Sequence, residues 1–313
     1  MFNIIFCGTL DISRDILKTL FENKHYNILG VITQTDKEQG RGQKISQNSV
    51  KKFCIENNIK CFQPTKMKEI YDEVLNLKPD FLITCAYGKI LPESFLNIFK
   101  NSINFHASLL PKYRGGSPVQ KAIANGEKET GISLMKMIKQ MDAGEVYFQK
   151  SILIELHDNA QDIFAKLSKI SCDIVGKELI QVLNGELKGK PQDESKVTFA
   201  YNLKNEDEKI DWNKTSLEIH NFIRSLAIKP GAFSILNNAR IKILASDLPS
   251  EQQSFKKLDL KVGTIFDINK LGMFVKTIDG AIIIKLIQKE SKNITETKAL
   301  KNNPQFLNKI FNV

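Results

Sequence analysis

In the first half of the chain, short apolar runs alternate with stretches that are apolar at every third or fourth position, and this pattern constrains the fold more than any other feature. Residues 2–7, 28–32, 60–62, 81–85 and 103–105 read as strands, and 12–21, 50–56, 67–77 and 119–124 as helices. Further strands follow at 131–137 and 146–154, then one long helix over 160–183, closed by Asn184-Gly185. The run Phe81-Leu82-Ile83-Thr84-Cys85 is almost wholly apolar, as a strand covered on both faces must be. Strands that alternate with helices imply a mostly parallel sheet between helical layers, a Rossmann-like α/β arrangement.

The pattern breaks over 188–205, which carries Gly189, Pro191 and many polar residues and reads as a linker. Beyond it stand one helix (217–226) and five short strands (232–236, 240–245, 263–268, 272–277, 281–288), separated by turn signals such as Asn237-Asn238 and Asp279-Gly280. Five short strands with tight turns predict a small antiparallel barrel of the OB type. The expected organisation is therefore an α/β domain over 1–187, a linker over 188–205 and an OB-like β-barrel domain over 206–313. A length of 313 residues agrees with about two domains.

Composition excludes several classes. With 42% hydrophobic and 26% charged residues the chain is ordinary globular protein, not a coiled coil or a disordered segment. No apolar run approaches the roughly 20 residues that cross a bilayer, so no membrane role and a cytoplasmic location are expected. Five scattered cysteines without a C-x-x-C pair argue against a disulfide framework or a structural zinc. Cys7 and Cys85 lie in apolar runs and read as core. The net charge of +10 favours a polyanionic partner such as RNA, or simply a lysine-rich surface that keeps the protein in solution.

Gly8-Thr9 ends the first strand where a dinucleotide-binding protein would carry G-x-G-x-x-G, and that motif is absent. The informative string is Asn104-Phe105-His106-Ala107-Ser108-Leu109-Leu110-Pro111. Two residues apart on a strand, Asn104 and His106 face the same side. An amide donor and an imidazole so placed could polarise a carbonyl oxygen, or could only cap nearby backbone. The segment 112–118 that follows reads as a flexible loop bearing two cations, Lys112 and Arg114. Asp142, in Met141-Asp142-Ala143-Gly144, could orient the imidazole or make a local turn. His25, His157 and His220 lie in polar surroundings and are expected at the surface.

Taken in order, N-x-H-x-S-L-L-P-x-Y-R-G, E-T-G-I-S-L and M-D-A-G resemble the folate-dependent formyltransferase family. The resemblance extends to Thr33-Gln34-Thr35-Asp36 with Gly40-Arg41-Gly42-Gln43-Lys44, to 86–92 (Ala-Tyr-Gly-Lys-Ile-Leu-Pro) and to Ile210-Asp211-Trp212, and covers essentially the whole chain. It implies transfer of a formyl group from the co-substrate 10-formyltetrahydrofolate to the amino group of methionine on initiator tRNA, without a metal and by a monomer. An aminosugar nucleotide is the alternative acceptor. By the same resemblance the catalytic residues are Asn104, His106 and Asp142. The folate would lie against Ala86, Tyr87, Gly88, Lys89, Ile90, Ser108, Leu109, Leu110, Pro111, Met137 and Met141. A glycine-containing basic loop with Lys37, Arg41 and Lys44 would contact tRNA, aided by lysines of the barrel. The chain departs from the family at Leu10 and Ile12, where proline and an aromatic residue are usual, and at Lys229-Pro230, where Trp-Pro is common. Cys85 is near the implied pocket, but its apolar strand gives it a core role.

Overall fold

The computed structural model describes residues 1–39, 44–290, 292–301, 303 and 305–312. The chain packs as two compact units. The first comprises Met1–Pro118, Glu129–Leu153 and Phe164–Tyr201; the second comprises Val119–Lys128, Ile154–Ile163 and Asn202–Val313.

Along the chain run β1 (Phe2–Gly8), α1 (Asp11–Glu22), β2 (Tyr26–Ile32), β3 (Lys37–Gln39), β4 (Lys44–Ser46), α2 (Ser49–Glu56), β5 (Cys61–Phe62), α3 (Tyr71–Asn76), β6 (Phe81–Cys85), α4 (Glu93–Leu96), β7 (Asn101–His106), α5 (Pro118–Ala124), β8 (Glu129–Lys136), β9 (Val146–Leu153), α6 (Ala160–Gly176) and α7 (Glu178–Leu183). Seven strands form one sheet in the order β5-β2-β1-β6-β7-β8-β9. β5, β2, β1, β6 and β7 run parallel, and β8 and β9 extend the sheet antiparallel. From β1 the order proceeds to β2 on one side and to β6 on the other. This reversal opens a crevice at the carboxyl ends of the strands, the usual place for a ligand in such sheets.

The residues dictate this arrangement. Ile4, Ile5, Phe6 and Cys7 are all fully buried, so β1 is covered on both faces, as its continuous apolar run requires. Ile5, Cys7, Ile32 and Leu82 share a core with Phe62, Val74, Tyr87, Leu91, Phe95 and Phe99. Helix α1 buries Ile12, Ser13, Ile16, Leu17 and Leu20, a single face at helical spacing. Three expectations are corrected. The helix over 67–77 is a 3-10 turn, Met67–Ile70, followed by α3. The long helix over 160–183 is interrupted at Lys177, whose backbone (φ −138°) leaves the helical region. The basic loop is built on a hairpin, since β3 pairs with β4 and Lys37 stands opposite Ser46.

The second unit contains α8 (Ser216–Ser225), β10 (Ala232–Leu236), β11 (Ala239–Asp247), α9 (Gln252–Lys256), β12 (Ile265–Asn269), β13 (Gly272–Lys276), β14 (Ala281–Lys289) and β15 (Thr295–Glu296). Its antiparallel sheet runs β10-β11-β14-β13-β12, with β15 on β14. The edge strands β10 and β12 do not pair, but the C-terminal segment bonds near both edges. Asn312 donates to the Ile235 carbonyl, and the Ile265 amide donates to Lys309. Trp212 is fully buried in this core, stacked on Phe311 at 5.1 Å, with its indole N–H donated to Ser234 at 2.9 Å. Helix α8 starts at a capping box, in which Thr215 accepts from the Glu218 amide and Glu218 accepts from Thr215. His220 is not at the surface as expected. It is buried, with its ring nitrogens 2.9 Å from Ser246 Oγ and 3.3 Å from the Leu156 carbonyl, and burial lowers its pKa. Polar sequence neighbours concealed a helix face that packs inward.

Candidate active site

Strand β7 carries Asn104 and His106 to the carboxyl edge of the sheet, between β6 and β8. Asn104 lies opposite Thr84 on β6, and the Thr84 hydroxyl donates to Asn104 Oδ1 at 2.7 Å. That bond occupies the amide oxygen and leaves the Nδ2 donors to point elsewhere. Thr84 Oγ1 also lies 3.2 Å from Met137 Sδ, which places Met137 beside the pair.

His106 is 5% exposed. Its Nε2 lies 2.9 Å from the Tyr113 carbonyl, an acceptor only, so Nε2 carries a proton that it donates there. Its Nδ1 lies 3.6 Å from Asp142 Oδ2. That gap is too long for a hydrogen bond, though close enough for an ion pair with an imidazolium. Nδ1 is thus the pole available to another oxygen.

Asp142 has φ 49°, in the left-handed region that aspartate tolerates, and Asp142 Oδ2 accepts from the Gly115 amide at 2.8 Å. It therefore both makes the turn and faces the imidazole. Gly144 is required in this turn, because a Cβ there would come to 1.9 Å from the Lys136 carbonyl oxygen. Gly115 is required for a different reason. Its φ is 123°, and a Cβ would approach the Ala200 carbonyl to 2.5 Å.

That close approach corrects two expectations. The segment 112–118 is not a free basic loop, and the linker is not a loose connector. Residues 198–200 run beside 113–115: Arg114 N–H donates to the Thr198 carbonyl at 2.9 Å, and Ala200 N–H to the Arg114 carbonyl at 2.7 Å. The Arg114 side chain is 1% exposed. It makes a two-pronged contact with Glu194 (2.7 and 3.3 Å) and donates twice to Gln192 Oε1 (3.1 and 3.0 Å). The Arg114 guanidinium holds the Glu194 carboxyl below its ordinary pKa. Gln192 Nε2 in turn donates to the carbonyls of Asp142 (2.7 Å) and Gly144 (2.8 Å). All four hydrogen-bonding positions of this amide are used, and they clamp the turn that presents Asp142.

The folate residues implied by the sequence separate into open and closed sets. On the 86–90 loop, Gly88, Lys89 and Ile90 are exposed, Ile90 to 90%. The loop is fixed through the Tyr87 carbonyl, which accepts from Thr9 Oγ1 at 3.1 Å and Gln34 Nε2 at 2.6 Å. The Tyr87 side chain itself is core. Ser108 and Leu110 are buried, and the Ser108 hydroxyl is spent on the Lys112 carbonyl at 2.6 Å. Ser133 donates to the Ser108 carbonyl and accepts from the Leu110 amide, so 108–111 is a braced turn. Leu109 and Pro111 are half-buried, and Met141 is exposed. Leu10 is exposed at the start of α1, whereas Ile12 is buried. Of the tRNA-loop residues, Lys37 and Lys44 lie on β3 and β4, and Arg41 lies outside the described residues. Cys85 is buried and burial pushes its pKa up to about 12, which leaves a protonated thiol that is no nucleophile at neutral pH. Among the described residues no group of three or more His, Cys, Asp or Glu could hold a metal ion, and no helix is long and apolar enough to cross a membrane.

Thr84, the Tyr113 carbonyl and Gln192 were invisible to sequence reasoning. Thr84 and Gln192 stand 20 and 50 residues from the groups they hold, and a backbone carbonyl carries no residue signature.

Three comparisons bear on this geometry. Residues 2–177 match the family described as formyl transferase, and residues 202–305 match the formyl transferase C-terminal domain. The methionyl-tRNA formyltransferase of Mycoplasma capricolum subsp. capricolum is 45% identical over 292 residues, which are 93% of this chain and 92% of that protein. The methionyl-tRNA formyltransferase of Mycoplasma mycoides subsp. mycoides is 46% identical over 295 residues, with the same coverage, 93% and 92%. Among solved structures, the N-formyltransferase of Helicobacter canadensis, in complex with folinic acid and dTDP-3-aminofucose, superposes with a TM-score of 0.68. It is 25% identical over 92% of this chain and 100% of that one.

Proposed function

The chain belongs to the formyl transferase family, and on that premise we infer that it moves a formyl group from 10-formyltetrahydrofolate to the α-amino group of methionine on initiator tRNA. The observation that carries this reading is the identity of 45% or more, across both units, with proteins named for that reaction.

Asn104, His106 and Asp142 do the chemistry in this reading. The amine nitrogen attacks the formyl carbon, and negative charge develops on the formyl oxygen. Asn104 presents Nδ2 to that oxygen, because Thr84 holds Oδ1. His106 presents Nδ1, because Nε2 is committed to the Tyr113 carbonyl. Donors fixed in advance pay no reorganisation when the charge appears, and one such donor is worth roughly 100- to 1000-fold in turnover. Asp142 faces Nδ1, so it stabilises the imidazolium. Through water it also takes the proton that the attacking ammonium must lose. Breaking the bond from carbon to the folate nitrogen returns a proton to that nitrogen. The exposed 86–90 loop, Leu109, Pro111, Met137 and Met141 hold the folate; the buried side chains of Tyr87, Ser108 and Leu110 act by shaping the backbone there. Lys37, Arg41 and Lys44 contact tRNA phosphates, residues 1–187 form the catalytic domain, and residues 206–313, later in the chain, form the tRNA-binding domain.

The Helicobacter structure keeps an aminosugar nucleotide in view as acceptor. The deciding experiment supplies 10-formyltetrahydrofolate with methionyl initiator tRNA and with dTDP-3-aminofucose in parallel. Formylation of the tRNA alone is expected. Formylation of the sugar nucleotide, with none on tRNA, would overturn the assignment.

A further inference from the structure

Phe199 and Tyr201 form a parallel stack, with ring centroids 5.4 Å apart and planes 3° from parallel, yet they are 50% and 63% exposed. Two rings normally stack in order to leave water, and these do not leave it. Their place in the chain explains how they stay out. Residues 199 and 201 lie on one side of an extended segment, and Ala200 between them is fully buried. The segment is anchored through Ala200, whose amide donates to the Arg114 carbonyl (2.7 Å) and whose carbonyl accepts from the Ser117 amide (2.9 Å). A parallel bridge joins Phe199 to Arg114 itself.

This anchoring sets the stack beside the reaction site. The strip it rests on, 113–115, supplies the Tyr113 carbonyl to His106 and the Gly115 amide to Asp142. One strand spacing, about 4.8 Å, separates that strip from the backbone that carries the two rings. A pair of exposed aromatic faces mounted on that strip is available to a flat group of the acceptor.

We propose that Phe199 and Tyr201 form a stacking ledge for an unpaired nucleobase at the 3′ end of the acceptor tRNA. The proposal rests on the tRNA reading above. In that substrate only an ester and one ribose separate the reacting methionine from the terminal base, so that base must lie close to the site. A base has a flat face of the same size as a phenyl ring and continues a two-ring stack without requiring any particular sequence. The chain's charge of +10 suits the phosphates that accompany it.

The test has three parts. First, wild-type protein is assayed with methionyl initiator tRNA and 10-formyltetrahydrofolate. Failure to formylate that tRNA overturns the tRNA reading, and the ledge with it. Second, Phe199→Ser/Tyr201→Ser is compared with wild type after circular dichroism shows the native fold. The expected result is a rise of about 5- to 100-fold in KM for tRNA, with the change in KM exceeding that in kcat. Because stacking is not a phosphate contact, the salt dependence of tRNA binding keeps its slope. Third, Tyr201→Trp places an exposed indole in a protein whose own Trp212 is fully buried. Its fluorescence should be quenched by charged tRNA in the absence of formyl donor, and not by tRNA trimmed of its unpaired 3′ nucleotides. Wild-type KM in the double variant, or equal quenching by trimmed and intact tRNA, would remove the ledge while leaving the formyl-transfer assignment standing.

Discussion

Replacing Gln192 by glutamate separates the stability of the Arg114 cluster from the positioning of Asp142. The wild-type amide accepts two bonds from Arg114 and donates one each to the carbonyls of Asp142 and Gly144. Gln192→Glu keeps the acceptor side and charges it, which strengthens the contact with a nearly buried guanidinium by roughly 1 kcal/mol. On the other side both donors vanish, at a cost of about 1 kcal/mol each, and a carboxylate oxygen is left against two carbonyl oxygens. The balance is a net loss of about 1 kcal/mol, so Tm should fall by no more than about 5 °C. The turn cannot stay where it is. Oxygens set at the 2.7 and 2.8 Å of the present hydrogen bonds must part, and the Asp142 carboxylate, already 3.6 Å from Nδ1, moves with them. A displacement of this order should lower kcat by roughly 10- to 100-fold, by the sensitivity of positioned groups to shifts of about 1 Å. The readouts are kcat and both KM values across neutral pH, with thermal unfolding alongside. Gln192→Leu, which loses all four bonds, should in addition lose about 3 kcal/mol of stability. A Gln192→Glu protein with wild-type kcat and pH profile would show that the clamp does not position Asp142.

Thr84→Val keeps the shape of a buried residue but frees the Asn104 amide to rotate. It should lower kcat about 5- to 10-fold while folate affinity holds, within the ~1–3 kcal/mol cost of an unsatisfied buried acceptor; unchanged kcat would mean that the threonine does not orient the amide. His220 is buried with a lowered pKa, so the unfolded chain takes up its proton first as the pH falls through about 6.5. Stability is present above that pH and is lost toward the depressed native value. His220→Gln should flatten the dependence of unfolding free energy on pH below about 6.5, and a slope identical to wild type would refute this. Deleting 40–44 should flatten the salt dependence of tRNA binding by about one log-log unit per lost phosphate contact and leave folate affinity unchanged. An intact slope would return the segment to a solvated loop.

The sheet was legible because its strands are either almost wholly apolar, like 81–85, or separated by helices with an apolar face. Asn104, His106 and Asp142 could be singled out because the ordered motifs around them resemble the formyltransferase family; an N-x-H at a strand end and an aspartate in a glycine turn are by themselves equally compatible with backbone capping and a local turn. Their supports were not legible. Arg114 reads as a loop cation and is in fact 1% exposed, because its partners Gln192 and Glu194 come from a stretch whose glycine, proline and polar content reads as a linker. The break at Lys177 and the burial of His220 escaped for the same reason: local pattern gives helix propensity and amphipathicity, whereas packing against distant segments decides the bend and the buried face. The stack of Phe199 on Tyr201 needed the register of 198–200 beside 113–115, which no periodicity encodes.

In the proposed reaction Asn104 and His106 donate to the formyl oxygen while Asp142 sustains the imidazolium. Single-turnover transfer of labelled formyl from 10-formyltetrahydrofolate to methionyl initiator tRNA, with both substrates saturating, measures the chemical step directly. Asn104→Ala, His106→Ala and Asp142→Asn, each folded and still binding folate, should slow that step by roughly 100-fold or more. Any one of them transferring formyl at the wild-type rate would contradict its assigned part in the reaction.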